Sequence, residues 1–387
     1  MGRFRDFLSG NAAGAALFLA PLPAAAWFLA DPAAAGAFLS FGGYWCMLLL
    51  ALVWAVLLSA RLRASLPSLR ANAAGLLFSL AAASAVFLAV KPGFRVLADE
   101  ANLLGVSRSM TFERRTDNVT MAKRYYFNLR PLLREREKRP YMFPFAVSVL
   151  HSVSGYRPAN AFAVNFVLLA ALLGAVFVFF RGLYGPPAAY AAVLLTASHP
   201  LLALTASSGG MDFMSAAFMF FSFLALRRFL GEPSRDSFSL LWATLLVMAN
   251  VRYEGPAVMA AVVLGLLAAR RLKWEFLASW PVFLTSLVML PSFCQRFCLP
   301  TDFETPGGSP AFAAGNIAHH TLAFLKVHFE GFKFPYSLPV FFAGVAGAAY
   351  GLRKWLDPRG ERPDVVRPLF LISLAGLAVY WIVTVSY

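Results

Sequence analysis

Apolar stretches long enough to cross a lipid bilayer recur along the whole length of this chain. A helix of about 20 apolar residues crosses the hydrocarbon layer, and helices satisfy their own backbone hydrogen bonds there. Hydrophobic residues make up 59% of the 387 residues and charged residues only 14%. A soluble domain carries roughly 25% charged residues. The sequence therefore excludes a water-soluble fold and predicts an all-α polytopic membrane protein.

We predict about eleven transmembrane helices in a single membrane domain covering residues 1–387. The first apolar run reaches span length, so we expect an anchor and not a cleavable signal peptide. Two neighbouring spans are short, which indicates an interrupted pair. The predicted spans are 12–30, 36–59, 72–90, 158–180, 186–205, 211–229, 236–250, 254–270, 276–294, 334–352 and 367–385.

Lys and Arg residues are concentrated in alternate linkers between the predicted spans. With a cytoplasmic N-terminus, every short loop obeys the rule that positive charge stays inside, and the outer linkers Asp31-Pro32 and 207–210 carry no cation. These linkers and anionic lipid headgroups explain the net charge of +15, so nucleic acid is not expected as a partner. Richness in Ala, Gly, Arg and Phe favours a bacterial protein of the inner membrane.

Two outer segments are long enough to carry a site. The first is basic and is predicted to contain short interfacial helices, one over 141–154 and one around Asp99. The second is predicted to contain a helix over 316–329. The resulting layout is 1–90 for N-terminal spans, 91–157 for an outer catalytic loop, 158–294 for central spans, 295–333 for an outer lid-like loop and 334–387 for C-terminal spans.

An acid pair, Asp99-Glu100, directly follows the third predicted span. A carboxylate at the mouth of a helix bundle suits a general base that takes the proton of a hydroxyl group. The alternative is a solvated pair that ends a helix. Arg95, Lys138 and Arg139 lie in the same loop, where they suit either an anionic ligand or lipid headgroups.

Further polar residues lie at the ends of later spans. Arg252 lies between two short spans, where a charge without a role would be costly. It can bind an anion or pair with Glu254. Asp212 begins the sixth span, either as a helix-capping acid or as a substrate-positioning group. His319 and His320 are candidates for a lid over the site.

The sequence gives little support for a metal site or for a disulfide bond. The histidines lack an accompanying acid in register, so no metal site and no cofactor are predicted, and a divalent metal has no support. Cys294 and Cys298 are four residues apart, which leaves a disulfide and two packed thiols as alternatives.

The order of these motifs resembles the GT-C superfamily of polyprenyl-phosphate-sugar-dependent glycosyltransferases, over about residues 90–270. By pattern, the protein O-mannosyltransferases and the lipid A aminoarabinose transferases are the most similar. The chain has Lys138-Arg139-Pro140 where relatives usually have Lys-Pro-Pro. The matching segments are Asp99-Glu100-Ala101, Lys138-Arg139-Pro140-Tyr141 with the apolar helix closed by Gly155, Gly209-Gly210-Met211-Asp212-Phe213, and Arg252-Tyr253-Glu254-Gly255-Pro256.

The resemblance implies transfer of a hexose or pentose from a polyprenyl-phosphate carrier to a glycan, lipid or protein acceptor. It implies an active site on the outer face and inversion at the sugar. Asp99 would be the base, and Glu100 would orient it or bind sugar hydroxyls. The phosphate-binding candidates are Arg95, Lys138, Arg139 and Arg252, and the positioning candidates are Asp212, Tyr253 and Glu254.

Two other classes of protein stay open at this point. A lipid or sugar transporter or flippase would place ionisable groups near the bilayer midplane and often shows repeated halves. Here the acids collect at one face and the halves do not repeat, although Arg252 and Glu254 interrupt an apolar region. A non-catalytic subunit of an envelope complex would need neither Asp99 nor the loop cations.

Overall fold

The computed structural model describes residues 21–277, 279–298, 314–329, 349, 352–353 and 363–386. Helices dominate this part of the chain, and two antiparallel strands interrupt them. The elements in chain order are α1 (Pro21–Ala30), α2 (Pro32–Ala64), α3 (Leu66–Ala71), α4 (Ala73–Ala89), α5 (Leu97–Glu113), β1 (Asp117–Tyr125), β2 (Asn128–Arg136), α6 (Met142–Ser154), α7 (Ala159–Tyr184), α8 (Pro186–Ala197), α9 (Pro200–Ala206), α10 (Asp212–Gly231), α11 (Arg235–Ala249), α12 (Gly255–Ala268), α13 (Trp274–Leu277), α14 (Trp280–Ser286), α15 (Met289–Phe293), a π-helical turn (Cys294–Cys298), α16 (Ala314–Phe329) and α17 (Pro363–Ser386).

Several helices are apolar and long enough to cross a membrane. Within the described residues these are α2, α7, α10 and the composite segment Trp280–Cys298. The bent pair α8 and α9, with 68° between its halves, adds a fifth span if it crosses as one unit. The other apolar helices are shorter, and the predicted span 334–352 lies mostly outside the described residues. A helical membrane protein is therefore the correct class, but a count of eleven spans is not confirmed.

The first long loop contains a β-hairpin that the all-α prediction lacked. Strands β1 and β2 pair in antiparallel register from Asp117 opposite Arg136 to Tyr125 opposite Asn128. Only the first residue of β1 is buried, and the strand becomes exposed toward the turn. Because no buried face runs along the strands, they lack the apolar alternation by which a strand is recognised in a sequence.

The two helices of this loop lie where the sequence predicted them, although α5 is longer than expected. Helix α6 packs into the protein between α2, α5 and α7 instead of presenting a broad apolar face outward. Its aromatic residues Phe143 and Phe145 are buried, as is the preceding Tyr141. Helix α6 is thus part of the protein core, whereas most of the hairpin in the same loop is exposed.

Helix–helix packing in the bundle depends on close approaches. Gly75 of α4 faces Phe177 of α7, and a β-carbon at this glycine would lie 2.0 Å from the ring. Such small-residue contacts allow neighbouring helices to approach closely. On the other side of the bundle, the indole of Trp54 in α2 donates a hydrogen bond of 3.2 Å to Thr244 in α11. These contacts fix the helices whose ends carry the candidate site.

The cysteines are free thiols. Cys294 and Cys298 are both buried and unbridged, so the alternative of two packed thiols is correct. Cys46 lies within α2 and is also free.

Candidate functional site

The neighbouring acids Asp99 and Glu100 begin α5 but have different surroundings. Glu100 is only 3% exposed. One of its oxygens accepts hydrogen bonds from the backbone N–H groups of Arg95 and Val96, at 3.1 and 3.2 Å. The other accepts from the N–H of Gly209 at 3.0 Å. Glu100 therefore ties the start of α5 to the linker that leads into α10, which is a positioning role.

Asp99 is turned toward the loop and remains accessible. About half of its side chain is exposed (51%), and it forms an ion pair with Nη2 of Arg139. The two residues are 40 positions apart, so the tertiary fold brings this acid and this cation together. The predicted base thus lies beside one of the predicted phosphate-binding cations.

Arg139 is held between two carboxylates. Glu137, whose side chain is 3% exposed, accepts hydrogen bonds from Arg139 Nη1 at 2.7 Å and from its backbone N–H at 3.0 Å. Burial alone would lower the pKa of Arg139, but attraction to Glu137 and Asp99 outweighs burial and raises it. The guanidinium is therefore a permanent charge with fixed donors.

Glu137 was not predicted as a site residue, although it directly precedes the basic segment Lys138-Arg139-Pro140. The amide of Gln295, in the π-helical turn, also fixes this segment by donating to the carbonyl oxygens of Glu137 and Arg139, both at 3.2 Å. Lys138 itself is exposed. A glutamate inside an alternating run of charges gives no sequence signal of burial.

Arg252 forms a second arginine cluster, with Asp212 and Glu254. It pairs with Asp212 at the start of α10 and with the buried Glu254 just before α12, through Nε at 3.1 Å and Nη2 at 3.2 Å. Burial alone would lower the pKa of Arg252, but attraction to Glu254 and Asp212 raises it. The internal pairing with Glu254 is thus present, and the pair with Asp212 joins two helix ends.

The two arginine clusters are neighbours in the fold. The backbone N–H of Met142, which follows the Arg139 segment, donates to the carbonyl of Asn250, just before Arg252, at 3.0 Å. Tyr253 directly follows Arg252 in the chain. The guanidinium carbon of Arg296 lies 5.8 Å from the centre of the Tyr253 ring. Asp99, Arg139, Tyr253 and Arg252 are therefore parts of one polar region at one end of the helix bundle, which we call the Asp99 end.

Arg95 and the histidines occupy other places. The Arg95 side chain donates to the carbonyl of Lys91 at 3.0 Å and to the hydroxyl of Ser207 at 3.4 Å, on the side of the Glu100 contacts. His319 and His320 lie on α16, with ring centres 5.6 Å apart. Residues 299–313 and 330–333 of the predicted lid-like loop lie outside the described residues. No group of three metal-ligating side chains occurs within the described ranges.

Residues 138–295 match the family model described as dolichyl-phosphate-mannose-protein mannosyltransferase. The matched segment includes Arg139, Asp212 and Arg252 but begins after Asp99, and it covers less than half of the chain. Comparisons with curated proteins and with solved structures give no match. The family match confirms the resemblance that the motifs indicated: this membrane protein is similar, through its central segment, to glycosyltransferases of the GT-C superfamily.

Proposed function

We propose that this chain transfers a sugar from a polyprenyl-phosphate carrier to an acceptor at the outer face of a bacterial inner membrane, with Asp99 as general base. The observation that carries the proposal is the contact between the accessible Asp99 and Arg139. A base and a phosphate-binding cation must both lie near the reacting carbon but on opposite sides of it, because the acceptor attacks opposite the leaving phosphate, so the sugar would enter between Asp99 and Arg139.

The bond changes of this reaction need one base. The acceptor hydroxyl gives its proton to Asp99, its oxygen bonds to the anomeric carbon of the sugar, and the bond from that carbon to the phosphate oxygen breaks. Attack opposite the leaving phosphate inverts the configuration. Because phosphate leaves as a stable anion, no general acid is required, unlike in a glycosidase with two opposed carboxyl groups.

The two arginines provide positive charge beside the phosphate, where negative charge develops as the phosphate leaves. A guanidinium binds phosphate oxygens through paired donors, and fixed donors favour the transition state because they need no reorganisation. Arg139 and Arg252 are held by carboxylates in this state of the protein. An arriving phosphate competes with Asp99 for Arg139 and so releases Asp99 to act as a base.

The remaining predicted residues hold this arrangement. Glu100 positions α5 through its three backbone contacts. We assign Glu254 to the orientation of Arg252, with which it forms an ion pair, and Asp212 and Tyr253 to contacts with the sugar or acceptor. Lys138 is exposed beside Arg139 and adds attraction for the donor, and Arg95 does so from the Ser207 side.

The class of substrate follows from the matched family. That family is named for a dolichyl-phosphate-linked mannose and a protein acceptor. For this chain we propose a hexose or pentose on a polyprenyl phosphate, and a glycan, lipid or protein acceptor.

The lid candidates His319 and His320 lie on α16, and this helix contacts α17, the helix that carries Tyr380.

Substitution of the base tests the proposal. Asp99→Asn keeps the size of the side chain and is expected to reduce transfer of labelled sugar from a polyprenyl-phosphate donor by roughly 10²–10⁴-fold, the usual contribution of a general base. Glu135→Gln, an exposed acid in the same loop, is the matched control and should leave transfer unchanged.

Two results would contradict the proposal. Full transfer activity in the Asp99→Asn variant would remove Asp99 as the base. Movement of lipid or sugar across vesicles that depends on Arg252 and persists without Asp99, with no transfer product, would favour a transporter.

A further inference from the structure

A second basic cavity lies apart from the two arginine clusters, between the first turns of α2 and the β-hairpin. Its volume is about 330 Å³, at the lower end of the range for small-ligand sites. Ala33, Gly36, Ala37 and Ser40 of α2 line one wall. Their spacing of three and four residues places them on one face of the helix, and their small side chains leave the space open.

The opposite wall carries three arginines with different partners. Arg115 is fixed by the buried Asp117, which accepts from its Nε at 2.8 Å and from the hydroxyl of Ser40 at 2.6 Å. Arg134 pairs with Glu113 through one nitrogen. Arg136 lies on Gly36, where a β-carbon would come within 2.6 Å of its Nη1.

The described residues of this cavity carry more positive charge and more hydrogen-bond donors than their own carboxylates and acceptors satisfy. Among the residues that the structure describes, Asp117 and Glu113 form ion pairs with Arg115 and Arg134, and Arg136 has no carboxylate partner, so one positive charge there is uncompensated. The Nη1 atom of Arg134 is buried and has no hydrogen-bond partner among the residues that the structure describes. Leaving a charged group without all of its partners is costly, so the accessible part of this guanidinium favours a ligand with acceptor oxygens.

The surface that leads away from the cavity is apolar. Phe41 borders the cavity with the guanidinium of Arg115 4.2 Å from its ring centre. Trp45, Leu52 and Val56 continue along α2 as exposed large hydrophobic side chains, each more than half exposed. A single excess positive charge above an apolar helix face matches a phosphodiester with acyl chains attached.

We propose that this cavity binds the phosphate of an anionic phospholipid headgroup, with the acyl chains lying along α2. The residues that bind it are Arg134 and Arg136, and Arg115 is placed by Asp117 beside them. The site lies outside the segment 138–295 that matches the glycosyltransferase family, and it does not depend on the proposed transfer reaction.

The bound headgroup would stabilise the hairpin against α2. The joint between them is formed by Thr116, whose hydroxyl donates to the carbonyl of Leu39 at 2.6 Å and whose N–H donates to the carbonyl of Ser40 at 3.0 Å. The buried Tyr141 contacts both Thr116 and Gln295. The headgroup site is thus connected to the segment that holds Arg139 by side chains in direct contact.

Lipid binding to the full chain tests this proposal. The protein is placed in phosphatidylcholine nanodiscs with increasing phosphatidylglycerol, and retained phosphatidylglycerol is measured by native mass spectrometry. Arg134→Gln and Arg136→Gln are each expected to weaken retention about tenfold, because a hydrogen bond to a charged group contributes about 1.5 kcal/mol or more. Arg130→Gln, an exposed arginine on the same hairpin that does not line the cavity, is the matched control and should retain the lipid.

A second variant tests whether lipid binding needs the open space of the cavity, and it leaves the charge of the cavity unchanged. Ala37→Leu fills the cavity from an exposed helix position and should also release the lipid while the melting temperature without phosphatidylglycerol stays as in the wild type. Equal losses in Arg130→Gln and Arg136→Gln would overturn the proposal, because they would indicate unspecific attraction. Inorganic phosphate that raises the melting temperature as much as phosphatidylglycerol would also overturn it, in favour of a free phosphate site.

Discussion

The two ends of the helix bundle are both rich in arginine, yet they use it differently. At the end opposite to Asp99, Arg181 in the last turn of α7 donates to the carbonyl of Ala71 at 2.8 Å and to the side chain of Asn72 at 2.7 Å. Arg228 pairs with the exposed Glu232 one helical turn later, at 3.4 Å. These cations lie at helix C-termini, where positive charge interacts favourably with the helix dipole.

At the Asp99 end, arginines meet carboxylates that the fold has buried. Glu137 and Glu254 are both buried, and each holds an arginine that also reaches a more exposed acid. Burying both charges of an ion pair costs desolvation free energy. A cation that only caps a helix does not need to be buried in this way. The comparison separates cations that lie at helix C-termini from cations that are each held by two carboxylates.

The largest effect expected from this comparison is on catalysis. Arg252→Gln should reduce transfer by roughly 10²–10³-fold, the usual cost of losing one donor to the developing charge. Arg181→Gln, at the opposite end, should change transfer less than about twofold, because Arg181 donates to Ala71 and Asn72 and offers no donor to the developing charge. Both are measured with saturating donor in the same membranes. Equal losses in the two variants would show that the ends do not differ in chemistry.

A smaller effect is expected on stability. Glu137→Gln removes the buried partner of Arg139 and should lower the free energy of unfolding by roughly 1–3 kcal/mol, since a buried charge-assisted hydrogen bond is lost. Glu232→Gln removes an exposed partner of Arg228 and should stay within about 0.5 kcal/mol. Thermal unfolding in detergent compares the two. A larger loss of stability in Glu232→Gln than in Glu137→Gln would contradict the distinction between buried pairs at the Asp99 end and exposed pairs at the opposite end.

The sequence was sufficient to predict the membrane class, most helix positions and the polar end at which the candidate site lies. Apolar length and loop charge carry that information locally. It was not sufficient to predict that Glu100 is buried while Asp99 stays accessible, because consecutive residues of a helix face different directions and only the fold decides what each contacts. Glu137 and Asp117 were missed for a related reason: both lie in charged, polar stretches, and their burial depends on elements distant in the chain.

The smallest predicted effect concerns pH and a histidine in the loop at the Asp99 end. His151 in α6 is buried, and its Nδ1 is 2.6 Å from the side-chain nitrogen of Asn160 while its Nε2 is 3.2 Å from the hydroxyl of Ser107. Burial lowers the pKa of His151 below its ordinary value of 6.5, and a weaker hydrogen-bond contribution from Gly155 opposes this. The folded protein therefore prefers the neutral ring.

The sign of the pH effect follows from this preference. Below pH 6.5 the unfolded chain binds a proton at His151 that the folded protein resists, so stability falls as the pH drops from 6.5 toward the lower folded-state pKa. His151→Gln removes this proton and should show a shallower decline between pH 7 and pH 5, measured as melting temperature, even if the variant is less stable throughout. The same measurement on Arg181→Gln should keep the slope of the wild type, because no buried imidazole is changed there. An unchanged slope in His151→Gln would contradict the assignment of this acid sensitivity to the buried imidazole.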